Sequence, residues 1–426
     1  MSTMIAVVFV VAYACIALEH PLKINKSAIA LIAAGLMWTF YSIASPIGVH
    51  GVTEQLTEKL AETAAIVFFL ICAMTIVEVT DSHGGFEVIT SRIKAAKLVN
   101  LLWIIGFITF YLSSILDNMT TTIVMIALMK RLLKDHKQRL FFAGIIVIAA
   151  NAGGAWSPIG DVTTTMLWIG GQVTTLNIMK TTWLASMMNL LVPLIIASFF
   201  VKGSVVPPDK IESGSGRTSE FEKTFMFFMG MGSLIFVPIF KSVTHLPPYL
   251  GILLALGILW LVGNILHRNK TDEEKDNLRL AKALKRIDMA SVVFFIGILL
   301  AVATLSANGM LPALAGWIDV KIGNQAIIVM IIGLVSAVVD NIPLVAASMG
   351  MYPLAQFPAD SFIWEFMAYC AGTGGSILII GSAAGVAAMG LEKIEFFWYA
   401  RRIGPLALAG YFAGIATYII QYRLVH

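Results

Sequence analysis

The chain has 426 residues, of which 58% are hydrophobic and only 13% charged, against roughly 25% charged in a soluble globular domain. Basic and acidic residues nearly balance, 29 against 25, for a formal net charge of +4. This excludes a soluble enzyme and a disordered chain. The three cysteines, Cys15, Cys72 and Cys370, sit in apolar runs, which excludes a disulfide-stapled secreted module. The apolar residues come in long unbroken runs rather than in alternation, which excludes an outer-membrane barrel. The composition fits an all-α polytopic membrane protein.

In chain order, the first apolar run, 4–18, has no Lys or Arg before it, so it reads as a first membrane helix rather than a signal peptide. A spanning helix needs about 20 apolar residues. Further candidate spans are 28–45, 63–80, 140–172, 182–201, 223–240, 248–266, 289–308, 362–390 and 403–422. An amphipathic piece is expected over 46–62. Two more apolar regions, 98–133 and 325–355, break in the middle, at Leu116-Asp117-Asn118-Met119 and at Val339-Asp340-Asn341-Ile342-Pro343. The stretch 202–222, with Pro207, Pro208 and Ser213-Gly214-Ser215-Gly216, reads as a flexible joint. The stretch 267–288 reads as a charged, solvated connection.

The chain reads as two copies of one unit. Phe68-Phe69 and Phe294-Phe295 are 226 residues apart, and Asp117-Asn118 and Asp340-Asn341 are 223 apart. Gly153-Gly154 and Gly374-Gly375 are 221 apart, as are Gly160 and Gly381. The units run 1–201 and 223–426, with 202–222 as a cytoplasmic linker between them. Basic residues flank the first broken region on both sides (Arg92, Lys94 and Lys97, then Lys130, Arg131, Lys134, Lys137 and Arg139), so both its ends face the cytoplasm by the positive-inside rule. That makes 98–133 a re-entrant hairpin with Asp117 near its tip, although its first arm is long enough to cross. The flanks of 325–355, with Asp319, Lys321, Gln356, Pro358 and Asp360, lack such a cluster and face outward. Each unit therefore has about five transmembrane helices, a re-entrant hairpin and a broken helix, in inverted topology. Inverted repeats of this kind are a transporter signature.

After each hairpin comes a long apolar segment interrupted by small residues, Asn151 to Thr165 and Cys370 to Ser376 with Gly381-Ser382 beyond. Unwound backbone at membrane depth is tolerated where protein buries it or where it lines a wet cavity. Oxygens from Asp, Asn, Thr and backbone suit a hard cation such as Na+, and thiolates and clustered imidazoles are absent from these stretches. A carboxylate inserted at the bilayer centre costs about 2.5–3.5 kcal/mol, and burial penalises its ionised form. Such a group is neutralised by a proton or a metal ion, rarely both. Asp117 and Asp161 are the candidate exchanging groups, with Asn118, Thr120, Asn151, Thr163 and Thr164 completing the shell. Na+ is assigned to Asp117, Asn118, Asn151 and Asp161, and Asp340, Asn341, Thr373 and Ser376 form the mirrored set. The alternative for each carboxylate is structural: Asp161 as an N-cap, and Asp117 or Asp340 as turn residues. Glu78 and Asp81, three apart on one helical face, are a further candidate with His83 for proton binding or pH sensing, against a merely solvated helix end.

There is no Gly-x-x-x-x-Gly-Lys-Ser/Thr motif for ATP-driven transport and no His-Glu-x-x-His or Gly-x-Ser-x-Gly hydrolase motif. No cofactor is expected, and the basic loops lack the aromatic interleaving of a nucleic-acid surface. The reading is a transporter, not an enzyme.

The motifs Ser114-Ile115-Leu116-Asp117-Asn118-Met119-Thr120-Thr121-Thr122, Asn151-Ala152-Gly153-Gly154, Ser157-Pro158-Ile159-Gly160-Asp161-Val162-Thr163-Thr164, Val339-Asp340-Asn341-Ile342-Pro343-Leu344 and Gly372-Thr373-Gly374-Gly375-Ser376 resemble those of the NhaD-type sodium/proton antiporters. Glu78 to Phe86 resembles the same family. The resemblance spans about residues 60–402. It implies a multi-pass protein of the bacterial cytoplasmic (inner) membrane that exchanges Na+ or Li+ for H+. It also implies a homodimer and an elevator-like movement of a transport domain. Asp117, Asn118, Asn151, Asp161, Thr163, Thr164, Asp340, Asn341, Ser376 and Glu78 carry the family's functional positions. The same superfamily holds sodium-coupled carboxylate symporters and arsenite permeases, which is the alternative reading. The acidity of the two hairpin tips and of Asp161 disfavours an anionic cargo unless a cation binds first.

Overall fold

The computed structural model describes all residues except 1, 18–21, 91–94, 206–218, 269, 272–277, 339 and 426. Most of the expected linker, with Pro207, Pro208 and Ser213 to Gly216, therefore lies outside the described residues, as do Arg92 and Lys94. The described residues form twenty helices: α1 (Ser2–Ala17), α2 (Lys26–Ala44), α3 (Gly48–Ser82), α4 (Glu87–Thr90), α5 (Leu98–Ser113), α6 (Asn118–Leu132), α7 (His136–Ala155), α8 (Val162–Ile169), α9 (Thr175–Phe200), α10 (Glu220–Thr244), α11 (Pro248–Leu266), α12 (Leu280–Arg286), α13 (Met289–Ala307), α14 (Met310–Ile322), α15 (Gln325–Val335), α16 (Asn341–Met351), α17 (Phe362–Gly374), α18 (Ala383–Glu392), α19 (Phe396–Arg402) and α20 (Gly404–Val425). Seven of these are long and apolar enough to cross a membrane, or up to nine if each sharply bent pair counts as one span. The protein is an all-helical, polytopic membrane protein.

The expected breaks are present. Helix stops at Ser113 and resumes at Asn118, stops at Ala155 and resumes at Val162, stops at Val335 and resumes at Asn341, and stops at Gly374 and resumes at Ala383. The expected separate piece 46–62 is corrected: it continues into 63–80 as the single helix α3, 35 residues long. At 1.5 Å per residue it is about 52 Å long, longer than the roughly 30 Å hydrocarbon slab, so its polar first half extends beyond the apolar run. The short helices α12, α14 and α19 lie where no element was expected. Among them α14 is bent by 115° from α15 across Gly323-Asn324, and Gly323 takes the left-handed φ of 64° that ends the helix.

Packing places equivalent elements in equivalent surroundings. α5 packs on α7 as α15 packs on α17, and α6 packs on α18 as α16 packs on α8. α7 lies against α9 as α17 lies against α20, and α9 and α20 pack along each other. The glycines found at constant spacing explain how the backbones come so close. A Cβ on Gly153 would lie 2.1 Å from the Phe110 carbonyl oxygen, and one on Gly374 would lie 2.0 Å from that of Gly333. A Cβ on Gly154 would meet the Gly160 oxygen at 2.5 Å, and one on Gly375 the Gly381 oxygen at 2.6 Å. Ser113 Oγ donates to the Ala150 carbonyl at 2.7 Å, and Ser336 Oγ to that of Ala371 at 3.1 Å. The first arm of each broken pair is thereby pinned to the interrupted helix behind it.

Because backbone rather than a flexible side chain occupies that space, Gly153→Ala is expected to destabilise the protein by about 1–3 kcal/mol. Gly232→Ala, where nothing lies within 4 Å, should be neutral or slightly stabilising. Thermal unfolding of the two purified variants in detergent checks the contrast.

Candidate functional site

Each break leaves a helix N-terminus inside the apolar protein, with backbone N–H groups that need acceptors. Four residues supply them. Asp117 caps α6, its Oδ1 accepting from Thr120 N at 2.8 Å and its Oδ2 from Thr120 Oγ1 at 2.5 Å. Asp161 caps α8, its Oδ1 accepting from Thr163 N at 3.0 Å and Thr163 Oγ1 at 2.9 Å. Asp340 caps α16 through Ile342 N at 3.4 Å, and Ser382 caps α18 through Gly385 N at 3.2 Å. The capping alternative is thus real for all three carboxylates. It leaves Asp161 Oδ2 for other work.

That oxygen belongs to a buried polar cluster. Asn118 Nδ2 donates to Asp161 Oδ2 at 3.1 Å and to Asn151 Oδ1 at 2.9 Å. Asn151 Nδ2 donates to Ser376 Oγ and to Ser382 Oγ, both at 2.9 Å. Asp161 is 2% exposed, Asn151 fully buried, and Asn118, Ser376 and Ser382 buried. Among the described residues no lysine or arginine bonds to this cluster. Thr164, fully buried, has a hydroxyl without a hydrogen-bond partner among the described residues, as do Thr121 and Thr122. Buried polar atoms left open in this way are places for water or an ion. A cavity of about 50 Å³, lined by Asp117, Asn118 and Thr165 together with Met74, Leu234 and Phe295, adjoins the cluster, with room for a water or a small ion. Carboxylate, amide and hydroxyl oxygens are the donor set of a hard cation.

The structure brings Asp117, Asn118, Thr120, Asn151, Asp161, Thr163 and Thr164 into one region, as expected. It distributes the expected mirrored set differently. Ser376 joins the first cluster through Asn151. Thr373 Oγ1 donates to the Tyr369 carbonyl at 2.6 Å within its own helix. Asn341 is buried. Asp340 pairs with Lys26 at 3.5 Å. Ser382 was not singled out by the sequence. The signal was there, since Asp161 and Ser382 are 221 apart, the spacing of the paired glycines.

The second candidate group separates. Glu78 pairs with Arg286 of α12 at 3.3 Å. His83 turns away from the two carboxylates: its Nδ1 lies 2.6 Å from the Val79 carbonyl and its Nε2 lies 3.0 Å from His267 Nε2. The Val79 carbonyl assigns a proton to His83 Nδ1, as the Gly263 carbonyl at 3.3 Å does to His267 Nδ1. Both rings are buried, and burial pushes His83 down to about 4. His267 gave no signal in the sequence, because a contact across 184 residues has no local pattern.

A bundle of apolar spans, two of them interrupted around a buried cluster of oxygen ligands, defines a membrane carrier of the secondary-transport class. A family model described as "Citrate transporter" matches residues 13–372. The chain is 48% identical to sodium/proton antiporter 1 of Arabidopsis thaliana over 98% of its length and 72% of that protein, and 47% identical to sodium/proton antiporter 2 of the same plant over 97% and 98%. It is 31% identical to the Na+/H+ antiporter NhaD of Alkalimonas amylolytica over 97% of its length and 89% of that protein. The chain belongs to the NhaD-type sodium/proton antiporter family, as its motifs implied.

Because the folded pKa of His83 lies below the ordinary value of about 6.5, the unfolded chain binds more protons between those values. The contribution of neutral His83 to stability is therefore complete above about pH 6.5 and lost as pH falls toward 4. His83→Gln should flatten the decline of melting temperature over that window. An unchanged slope would show that other groups set it.

Proposed function

We propose that this chain exchanges Na+ or Li+ for H+ across the membrane, with Asp117 and Asp161 holding either a proton or the metal ion. One observation carries the reading. Asp161 is almost wholly buried and bonded to neutral groups alone among the described residues. An unpaired carboxylate at such a place is neutralised by a proton or a bound cation. Asn118, Asn151, Thr163 and Thr164 supply further ligands or orient them. Ser376 and Ser382 tie the cluster to the second half of the chain. Asp340 and Asn341, with Thr120 and Thr373, belong to the same machinery, Asp340 having Lys26 as a built-in cation.

The domain reading follows the packing. The equivalent contacts of α5 to α9 and α15 to α20 support two inverted repeats, 1–201 and 223–426. Both arms of 98–133 end on one face: Leu98 N donates to the Gly203 carbonyl at 3.1 Å, and Arg131 pairs with Glu87 at 3.5 Å. Lys223 pairs with the same Glu87 at 2.9 Å, and Lys97, Lys134 and Lys137 adjoin the two arm ends in sequence, which supports a cytoplasmic assignment for this face. The ends of 325–355 meet on the other face, where Tyr352 donates to Asp319 at 3.3 Å. Both regions are re-entrant hairpins in this reading. The cavity at Asp117 lies on the Ser291 side, and a larger one of about 550 Å³ lies on the Gly170 and Pro247 side, which suits alternating access. Elevator movement and a homodimer rest on the family resemblance. Placement in a bacterial cytoplasmic membrane rests on it too, the NhaD relatives being bacterial while the two at 47–48% identity are from a plant.

The second reading, a sodium-coupled carboxylate carrier, is favoured by the description of the matching family model. The cluster argues against it, since among the described residues it offers an anion no basic group. Everted vesicles decide. Na+ or Li+ should dissipate a preformed pH gradient with no organic anion present, whereas a response that requires citrate or a dicarboxylate overturns the antiporter reading. Asn caps helices as well as Asp, so Asp161→Asn and Asp117→Asn should insert normally. Each should lose exchange by at least about 100-fold, the scale of a lost proton-transfer group. Normal exchange in both would falsify their assignment.

A further inference from the structure

A second buried carboxyl, outside the cluster, has no role in the exchange just described. Glu365, one turn into α17, is 2% exposed. Tyr418 of α20 donates to its Oε2 at 2.8 Å, and the amide of Asn177 of α9 bonds to its Oε1. Among the described residues no basic side chain bonds to it. The charged and titratable groups that face it are Asp360 in the turn before α17 and Tyr418, with Tyr422 beyond. Thr181 of α9 also faces it. Asp360 is itself held by Thr174 N and Oγ1 at 2.6 and 2.7 Å. Among the described residues no group bonded to Glu365 balances a negative charge, so the carboxyl rests neutral, bearing a proton. The amide of Asn177 can present its oxygen to the acid O–H as readily as its nitrogen to a carboxylate.

Its position gives that proton a use. Glu365 stands near Asp360, in the turn before α17. Tyr369 and Thr373 follow at intervals of four on the same side of α17, and Thr373 is three residues before Ser376 of the ion cluster. Glu365 and Thr373 are about 12 Å apart along the helix. Between them Tyr369 O–H donates to the Tyr411 carbonyl at 2.9 Å, and Asn189 Nδ2 reaches Tyr369 at 3.3 Å. Asn189 Oδ1 and, one turn away, Ser186 Oγ are buried without a partner among the described residues. Unmatched polar atoms in a buried seam are where water bridges are held.

We infer that Glu365 is the proton-loading group of the exchanger: it takes a proton from water on the Asp360 side and yields it along the α9–α17–α20 seam as the metal ion leaves the cluster. One O–H bond breaks and another forms at each transfer, and no other reactant is needed. The inference rests on the exchange reading above.

Glu365→Gln keeps the shape and hydrogen bonds but cannot pass a proton. In proteoliposomes it should lower Na+-driven proton movement by about 100-fold or more. Isotopic Na+ self-exchange, which needs no proton, should stay at the parent level. Loss of both would show a structural role, and loss of neither would show an idle carboxyl; each overturns the proposal. Tyr418→Phe gives a second reading: it removes a donor to the ionised form, so the pH profile should move to the alkaline side by about one unit. A fall in rate with an unmoved profile counts against Glu365. Failure of the cluster is separately visible, because Asp161→Asn should stop self-exchange as well; if it does not, the ion site is wrong whatever Glu365 does.

Discussion

The architecture depends on a helix N-terminus being tolerable inside an apolar interior. Four times the chain stops a helix and restarts it, at α6, α8, α16 and α18, and each restart exposes N–H groups that water would otherwise satisfy. A side-chain oxygen is required at each place. The chain uses Asp117, Asp161, Asp340 and Ser382. A serine is sufficient for the capping alone. The three carboxylates bring negative charge that capping does not need, and in the proposed reading that excess would let the site hold a cation beside the positive end of a helix dipole.

The two proposed repeats match in their backbone contacts and differ in their chemistry. Glycines and the Ser113 and Ser336 hydroxyls recur in matching contacts because they hold backbone against backbone, a task that is the same in both halves. The carboxylates diverge. Asp161 stays uncompensated where its counterpart is a serine, and Asp340 is met by Lys26 where Asp117 meets only Thr120. Had both halves kept equal charge, the like charges around Asp161 would have repelled one another more strongly. A serine in place of one carboxylate and a lysine beside another would, in the proposed exchange, leave the proton and the metal ion fewer places to compete for.

Much of this was legible in the sequence. The breaks at Leu116 to Met119 and at Asp340 to Pro343, the two glycine pairs and the spacing of about 222 residues are local or periodic patterns, and the structure keeps them. The beginning of α3 was misread as a separate piece because a polar half-helix outside the hydrocarbon has a different composition from its apolar continuation, although the backbone has no reason to stop. α14 was missed for the related reason that its Asp319 and Lys321 look like a loop. Glu365 and His267 were invisible for another cause. Their meaning lies in partners on distant segments, Tyr418 and His83, and no window along the chain contains both members of either pair.

Asn151 shows why that distant pairing matters. Its carbonyl side accepts from Asn118, and its amide side donates to Ser376 and Ser382. One side chain thus reports the state of a site in the first half to two residues in the second. In the proposed exchange, a change at Asp161 between proton and metal ion would change the demand on Asn118, and Asn151 is the next group bonded to it. An amide suits this position because it both donates and accepts without changing charge. The carboxylate beside it is free to change charge without taking the junction of the two halves apart.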